Sequence, residues 1–297
     1  MANPRLIKKR VNSIKNIKKI TKALEMVSAS KVLKAQSKAL AAKPYAEKIY
    51  EIIANVAGEV NISEIPLLRK PKEIKRNLYI VISTNRGLAG SLNTNLFRKL
   101  GEHSKESGIV DSSFITVGKK GRGAVAFYGT LLADFSEEIT TKSVPAIINL
   151  VSDKFVNEEV DAVYLVYNDF ISALSQDPVI KKILPITYEK PSFDLLGKEA
   201  NVRNNIKLNI VFNFEPSREE VLKELLPFYL EVILSEALYE AEASEHSARM
   251  VAMKSASDNA QELSSSLTLE FNKARQSMIT NEINDITVAS SVISEND

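Results

Sequence analysis

The sequence predicts an α/β domain inserted between two long helices that pair as an antiparallel coiled coil. Three observations predict it. All ten glycines lie between Gly58 and Gly197, and neither Gly nor Pro occurs from Arg5 to Lys43 or from Phe228 to Asp297. These residues are the strongest helix breakers, so their absence from both ends marks two long helices. The last segment carries a sustained seven-residue repeat, and the middle alternates β-rich runs with helical stretches.

The first helix runs from about Pro4 to Val56, within an N-terminal segment 1–60. Ile7, Val11, Ile14, Ile17, Thr21, Leu24, Ser28, Val32 and Ala35 recur at steps of three or four and form its seam. The β-rich runs of the middle segment, 75–213, are Asn77–Ser83, Ser113–Val117, Asp161–Tyr167 and Lys207–Asn213. Helical stretches near Leu92–Lys105, Lys119–Tyr128 and Val144–Asn157 separate the first three, which predicts βαβ units and a largely parallel sheet.

The last helix occupies the segment 217–293. One repeat series is Leu222, Tyr229, Glu236, Ala243, Met250, Ser257, Ser264, Phe271, Met278. Its companion is Leu225, Val232, Tyr239, His246, Met253, Ala260, Leu267, Ala274. Small and polar members make this a moderately stable pair of helices rather than a tight zipper.

The first helix spans ~80 Å and the last ~110 Å at the α-helical rise. If they start level, with Val56 beside Ser217, paired residue numbers add to about 273 and Arg5 lies near Thr268. The remaining ~20 residues, carrying Ile279, Ile283, Ile286, Val288, Val292 and Ile293, project as one unpaired helix. Such a helix is marginal in water and calls for a surrounding partner.

Composition removes several function classes. The 297 residues include no cysteine and two histidines, so disulfide frameworks, thiolate metal sites and cysteine nucleophiles are excluded, and histidine-rich metal sites are disfavoured. No apolar run reaches the length of a membrane span, and MANPRLIKKR has no apolar signal core. The charge is asymmetric. Residues 1–43 hold twelve Lys/Arg and one acid, Glu25, a net +11; of the totals of 39 basic and 37 acidic residues this leaves 27 and 36, a net −9. Such an arm expects an acidic partner.

Catalytic and nucleotide-binding signatures are missing. Ser83–Leu96 (STNRGLAGSLNTNL) follows the first strand but lacks G-x-G-x-x-G, and Val117–Ala124 (VGKKGRGA) lacks the P-loop order. Tight turns explain both, with Lys119, Lys120 and Arg122 on a solvated loop. The clusters Asp134, Glu137, Glu138 and Glu158, Glu159, Asp161 have no His at metal spacing and read as acidic helix ends. His246 reads as a polar seam residue. Three readings of the basic helix stay open: a nucleic-acid-binding arm, an organellar targeting helix, and a coiled-coil strand whose outer face meets acidic protein loops.

Four blocks, in order along the chain, resemble the gamma subunit of the F-type (rotary) ATP synthase of bacteria. They are Lys8–Gln36, Asn85–Leu96, Ser244–Ala260 and Leu267–Ile286. The resemblance implies an antiparallel coiled coil carrying a Rossmann-like α/β domain, and a non-catalytic central shaft with no cofactor, catalytic residue or metal of its own. It implies torque passing between a proton-driven c-type membrane ring and the alternating alpha and beta subunits of a catalytic hexamer. A small epsilon-type subunit is a further implied partner. The implied location is the cytoplasmic side of the bacterial inner (plasma) membrane, peripheral and without insertion. No nucleic acid is implied; a nucleic-acid-binding arm on an α/β domain is the alternative.

By the same resemblance, Met26 passes acidic loops of the catalytic subunits and Arg249 lies near that region. Arg275, Gln276, Thr280 and Glu282 engage loops higher in the hexamer. Arg86, Gly87 and Leu88 belong to a foot segment near the ring and the small subunit. Asn85, Ala89, Ser91 and Gly123 stand where the family usually has Asp, Cys, Gly and Asp, which puts polar contacts of that segment in question.

Overall fold

The computed structural model describes residues 4–57, 65–69, 71, 73–106, 111–136, 141–186, 215 and 217–294. The expected strand at Lys207–Asn213 lies outside them. Among the described residues the α-helices are α1 (Pro4–Ala57), α2 (Leu92–Glu106), α3 (Lys119–Val125), α4 (Val144–Val156) and α5 (Arg218–Ser294). Five strands are β1 (Arg76–Ile82), β2 (Asp111–Val117), β3 (Thr130–Asp134), β4 (Ala162–Phe170) and β5 (Gln176–Leu184). The chain divides into two compact units, one of residues 1–27 and 250–297 and the other of residues 28–249.

In the larger unit the strands order as β3-β2-β1-β4-β5, with β5 alone antiparallel. The sheet is therefore mostly parallel, as the alternation predicts. β1 and β4 are buried on both faces, as central parallel strands are. The two-residue period of β1 sends Leu78, Ile80 and Ile82 to one core and Tyr79 and Val81 to the other. The first core is closed by Ile147, Ile148, Val151 and Phe155 of α4 and by Leu222, Leu226, Leu230 and Leu234 of α5. The second is closed by Leu96 and Leu100 of α2 and Val125 of α3.

Sequence patterning does not anticipate β3 or β5. β3 is an edge strand of five residues whose alternate residues are exposed, and β5 carries Asp177, Pro178, Lys181 and Lys182. Edge strands need little apolar surface, so their signal is weak.

Two prolines sit inside helices, Pro44 in α1 and Pro227 in α5. The next residues, Tyr45 and Phe228, meet edge to face with ring centroids 5.5 Å apart, and their numbers add to the expected 273. Further along, Lys38 reaches Glu242 at 3.8 Å, a sum of 280. The helices are thus antiparallel in this unit, and the lysine stem reaches about two turns beyond the level-start register.

In the smaller unit α5 buries Met253, Ser257, Ala260 and Ser264 and half-buries Leu267, Phe271 and Ala274, a strict 4-3 alternation. From α1 come Ile7, Val11 and Thr21, with Ile14 half-buried. Ile17, expected in the seam, is 51% exposed, and Lys18 takes its place half-buried. Its aliphatic stem lies along the seam and its ammonium donates to Gln261 Oε1 at 2.6 Å. This pair sums to 279, six above the expected register. Beyond Ala274 the described side chains, through Thr287, are exposed.

Candidate partner-binding surfaces

The smaller unit presents two kinds of exposed surface. Lys15, Lys18, Lys19 and Lys22 rim a groove of about 890 Å³ floored by Ala23, Met26, Ser264, Thr268 and Leu269. Met26 is 60% exposed at its end, with no burial reason to be apolar. The second surface is the outer helix of α5, where Met278, Ile279, Ile283 and Ile286 are exposed. Arg275, Gln276, Thr280 and Glu282 lie on it and are exposed too. The Arg275 guanidinium sits 5.9 Å from the Phe271 ring, and the Thr280 hydroxyl donates to the Gln276 carbonyl at 2.9 Å. Val288, Val292 and Ile293 lie outside the residues whose side chains are described.

In the larger unit the turn after β1 is closely tied. Thr84 Oγ1 donates to the Arg86 carbonyl at 2.8 Å, and Asn93 Nδ2 donates to Thr84 Oγ1 at 2.7 Å. Asn85 Oδ1 accepts from the Lys119 amide at 3.0 Å, a first-turn amide of α3. Gly118 has φ +100°, and a Cβ there would fall 2.0 Å from the Ser83 carbonyl oxygen, so only glycine fits.

The same turn meets α5. Arg249 is 8% exposed, and its Nε and Nη2 donate to the Gly87 carbonyl at 3.3 and 3.2 Å. Nη2 also donates to the Arg86 carbonyl at 3.2 Å and to Glu245 Oε1 at 2.7 Å. Nη1 lies 3.3 Å from His246 Nδ1, which must accept, so the imidazole is neutral with its proton on Nε2. Burial, with Lys31 and Arg249 adding repulsion, lowers the His246 pKa to about 4. Burial raises the Glu245 pKa against the pull of Arg249. Two motif blocks read as lying at separate levels, Arg249 and the Arg86-Gly87-Leu88 segment, are thus in direct contact. The sequence carries no signal for this pairing, because the partners are 162 residues apart and the acceptors are backbone carbonyls.

A third feature went unnoticed in the sequence. Tyr167, Asp169, Lys181, Glu236 and Glu240 line a cavity of about 250 Å³ between β4, β5 and α5. Burial, with Asp169 and Glu236 adding repulsion, raises the Glu240 pKa to about 8, so Glu240 is mostly protonated at neutral pH. The acidic clusters are not helix ends throughout: Asp134 closes β3 and Asp161 directly precedes β4. Asp161 accepts from the Lys75 and Arg76 amides and from the Arg76 guanidinium, and these bonds outweigh burial and hold its pKa below the carboxylate norm. Asp134 accepts from Thr116 and Ser136; Glu137 and Glu138 lie outside the described residues. Among the described residues, no group of His, Asp and Glu converges as a metal site, and no helix is long and apolar enough to cross a membrane.

Residues 3–292 match the family model described as ATP synthase. The chain is 39% identical to the ATP synthase gamma chain of Methylacidiphilum infernorum, over 97% of this chain and 98% of that one. It is 40% identical to the ATP synthase gamma chain of Brevibacillus brevis, over 95% and 96%. The chain belongs to the ATP synthase gamma family. Solved structures with the same fold include the rotor of the Euglena gracilis mitochondrial ATP synthase, with a TM-score of 0.62 at 22% identity over 93% of this chain and 98% of that one. The central stalk and c-ring structure of the Tetrahymena thermophila enzyme gives a TM-score of 0.58 at 22% identity, over 80% and 99%.

Proposed function

We propose that this chain is the central rotor-shaft subunit of a proton-translocating F-type ATP synthase. It performs no chemistry and passes torque between a membrane ring and a catalytic hexamer. The observation that carries this reading is the match to gamma chains along nearly the whole length of both sequences.

The surfaces fit the role. The lysine-rimmed groove and Met26 face acidic loops of the alternating alpha and beta subunits. The outer helix with Arg275, Gln276, Thr280 and Glu282 sits higher in the hexamer, inside an apolar sleeve. Its bare isoleucines find there the burial that this chain does not supply, and weak directional bonding lets the helix slide. Arg86, Gly87 and Leu88 are contacted by a partner subunit. The c-type ring and a small epsilon-type subunit complete the partners. The chain resides peripherally on the cytoplasmic side of the bacterial inner membrane. The domain division 1–60, 75–213 and 217–293 follows the same mechanical logic of two rod segments around one mount.

Co-purification tests the reading. The tagged chain should enter a stable complex with nucleotide-binding subunits at one copy per hexamer. Salt-sensitive binding of duplex DNA or RNA at specific-complex affinity, with no such complex, would replace it with the nucleic-acid reading.

A further inference from the structure

We propose that Glu245 is a positioning residue: acting through Arg249, it latches the Thr84–Gly90 turn onto α5 and so fixes where Leu88 is presented. The inference rests on the proposed role of Leu88 as a partner contact.

Leu88 combines two costly properties. Its backbone has φ +64°, a left-handed conformation rare for a branched apolar residue, and its side chain is 65% exposed. Strained backbone persists only where its surroundings over-determine it. Two sets of bonds do so here: Thr84 Oγ1 to the Arg86 carbonyl from within the turn, and Arg249 to the Arg86 and Gly87 carbonyls from α5.

The second set depends on Glu245. The guanidinium is buried, and a buried cation without a counter-charge is driven out to water. Glu245 lies one helical turn before Arg249 and is its carboxylate partner at 2.7 Å, with both side chains largely covered. Lys31, also near Glu245, adds positive charge on the α1 side and cannot substitute. With Glu245 in place, the fork's remaining donors aim at the two turn carbonyls and His246 Nδ1. The end of β4 and the turn after it are tied to the same stretch of α5: Ser244 and Ser247 donate to the carbonyls of Asn168 and Ala173. These serines do not touch the Leu88 turn, so the latch on that turn is separable from them.

The absence of cysteine makes the test clean. A nitroxide is attached to Leu88→Cys in the full chain, and a control nitroxide to Phe127→Cys, an 88% exposed site just past α3. Glu245→Ala and Arg249→Lys should each raise the mobile fraction at position 88 about tenfold, the effect of losing a charge-assisted hydrogen bond. The double variant should add nothing further, the label at 127 should not change, Glu245→Gln, which loses the counter-charge, should mobilise position 88 nearly as Glu245→Ala does, and Glu245→Asp, which keeps the counter-charge, should restore most of the immobile signal. An unmoved label at 88, or equal mobilisation at both sites, overturns the proposal. The measurement uses the isolated chain, so it stands apart from whether the chain joins a hexamer.

Discussion

Lys18 and Gln261 are 243 positions apart, yet the Lys18 ammonium donates to Gln261 Oε1 at 2.6 Å. The bond marks where the two ends of the chain run side by side, but it is too solvated to hold them. Lys18→Met should cost less than about 1 kcal/mol. Ile7→Ala, which empties a side chain only 3% exposed, should cost about 2–5 kcal/mol. Urea denaturation of the two variants checks the contrast.

Small residues set how closely α1 and α5 approach. Ser257 and Ser264 are 4% and 5% exposed within the 4-3 seam. Ser257→Leu should destabilise the smaller unit by about 1–3 kcal/mol through overpacking, although leucine is the better coiled-coil former. A gain in thermal midpoint would show a looser seam than the burial implies.

Met26→Lys should leave the fold intact, since Met26 is 60% exposed, and should impair coupling. On the proposed role, a further cation beside acidic loops would add an attraction that varies with rotation angle. Proton-driven ATP synthesis should fall while the thermal midpoint stays put; undiminished synthesis would remove Met26 from the contact surface.

Glu240 makes stability fall as pH rises from about 4.5 to about 8. Its folded pKa of about 8 lies above the ordinary 4.5, so the folded state holds a proton that the unfolded chain has lost. Its contribution is complete below pH 4.5 and lost as pH rises through about 8. Glu240→Gln should flatten that limb in denaturation midpoints measured from pH 5 to 9.

His246 acts on the acid side. Its folded pKa of about 4 lies below the ordinary 6.5, so stability is complete above pH 6.5 and lost as pH falls through about 4. Protonation also removes the acceptor that Arg249 uses. His246→Gln, which can still accept, should reduce the acid sensitivity.

The long helices, the inserted, mostly parallel sheet and the family are legible in the order of residues alone, because these depend on properties that add along the chain. Missing helix breakers, a seven-residue period and β-rich runs are all local. Tertiary structure decided what depends on reach between distant residues. It put Lys18 rather than Ile17 in the seam, since burial of a lysine stem depends on where its ammonium finds a partner. It added β3 and β5, whose pairing outweighs their weak propensity. It also joined Arg249 to Arg86 and Gly87. A backbone carbonyl carries no side-chain signature, so only folding could reveal what the guanidinium holds.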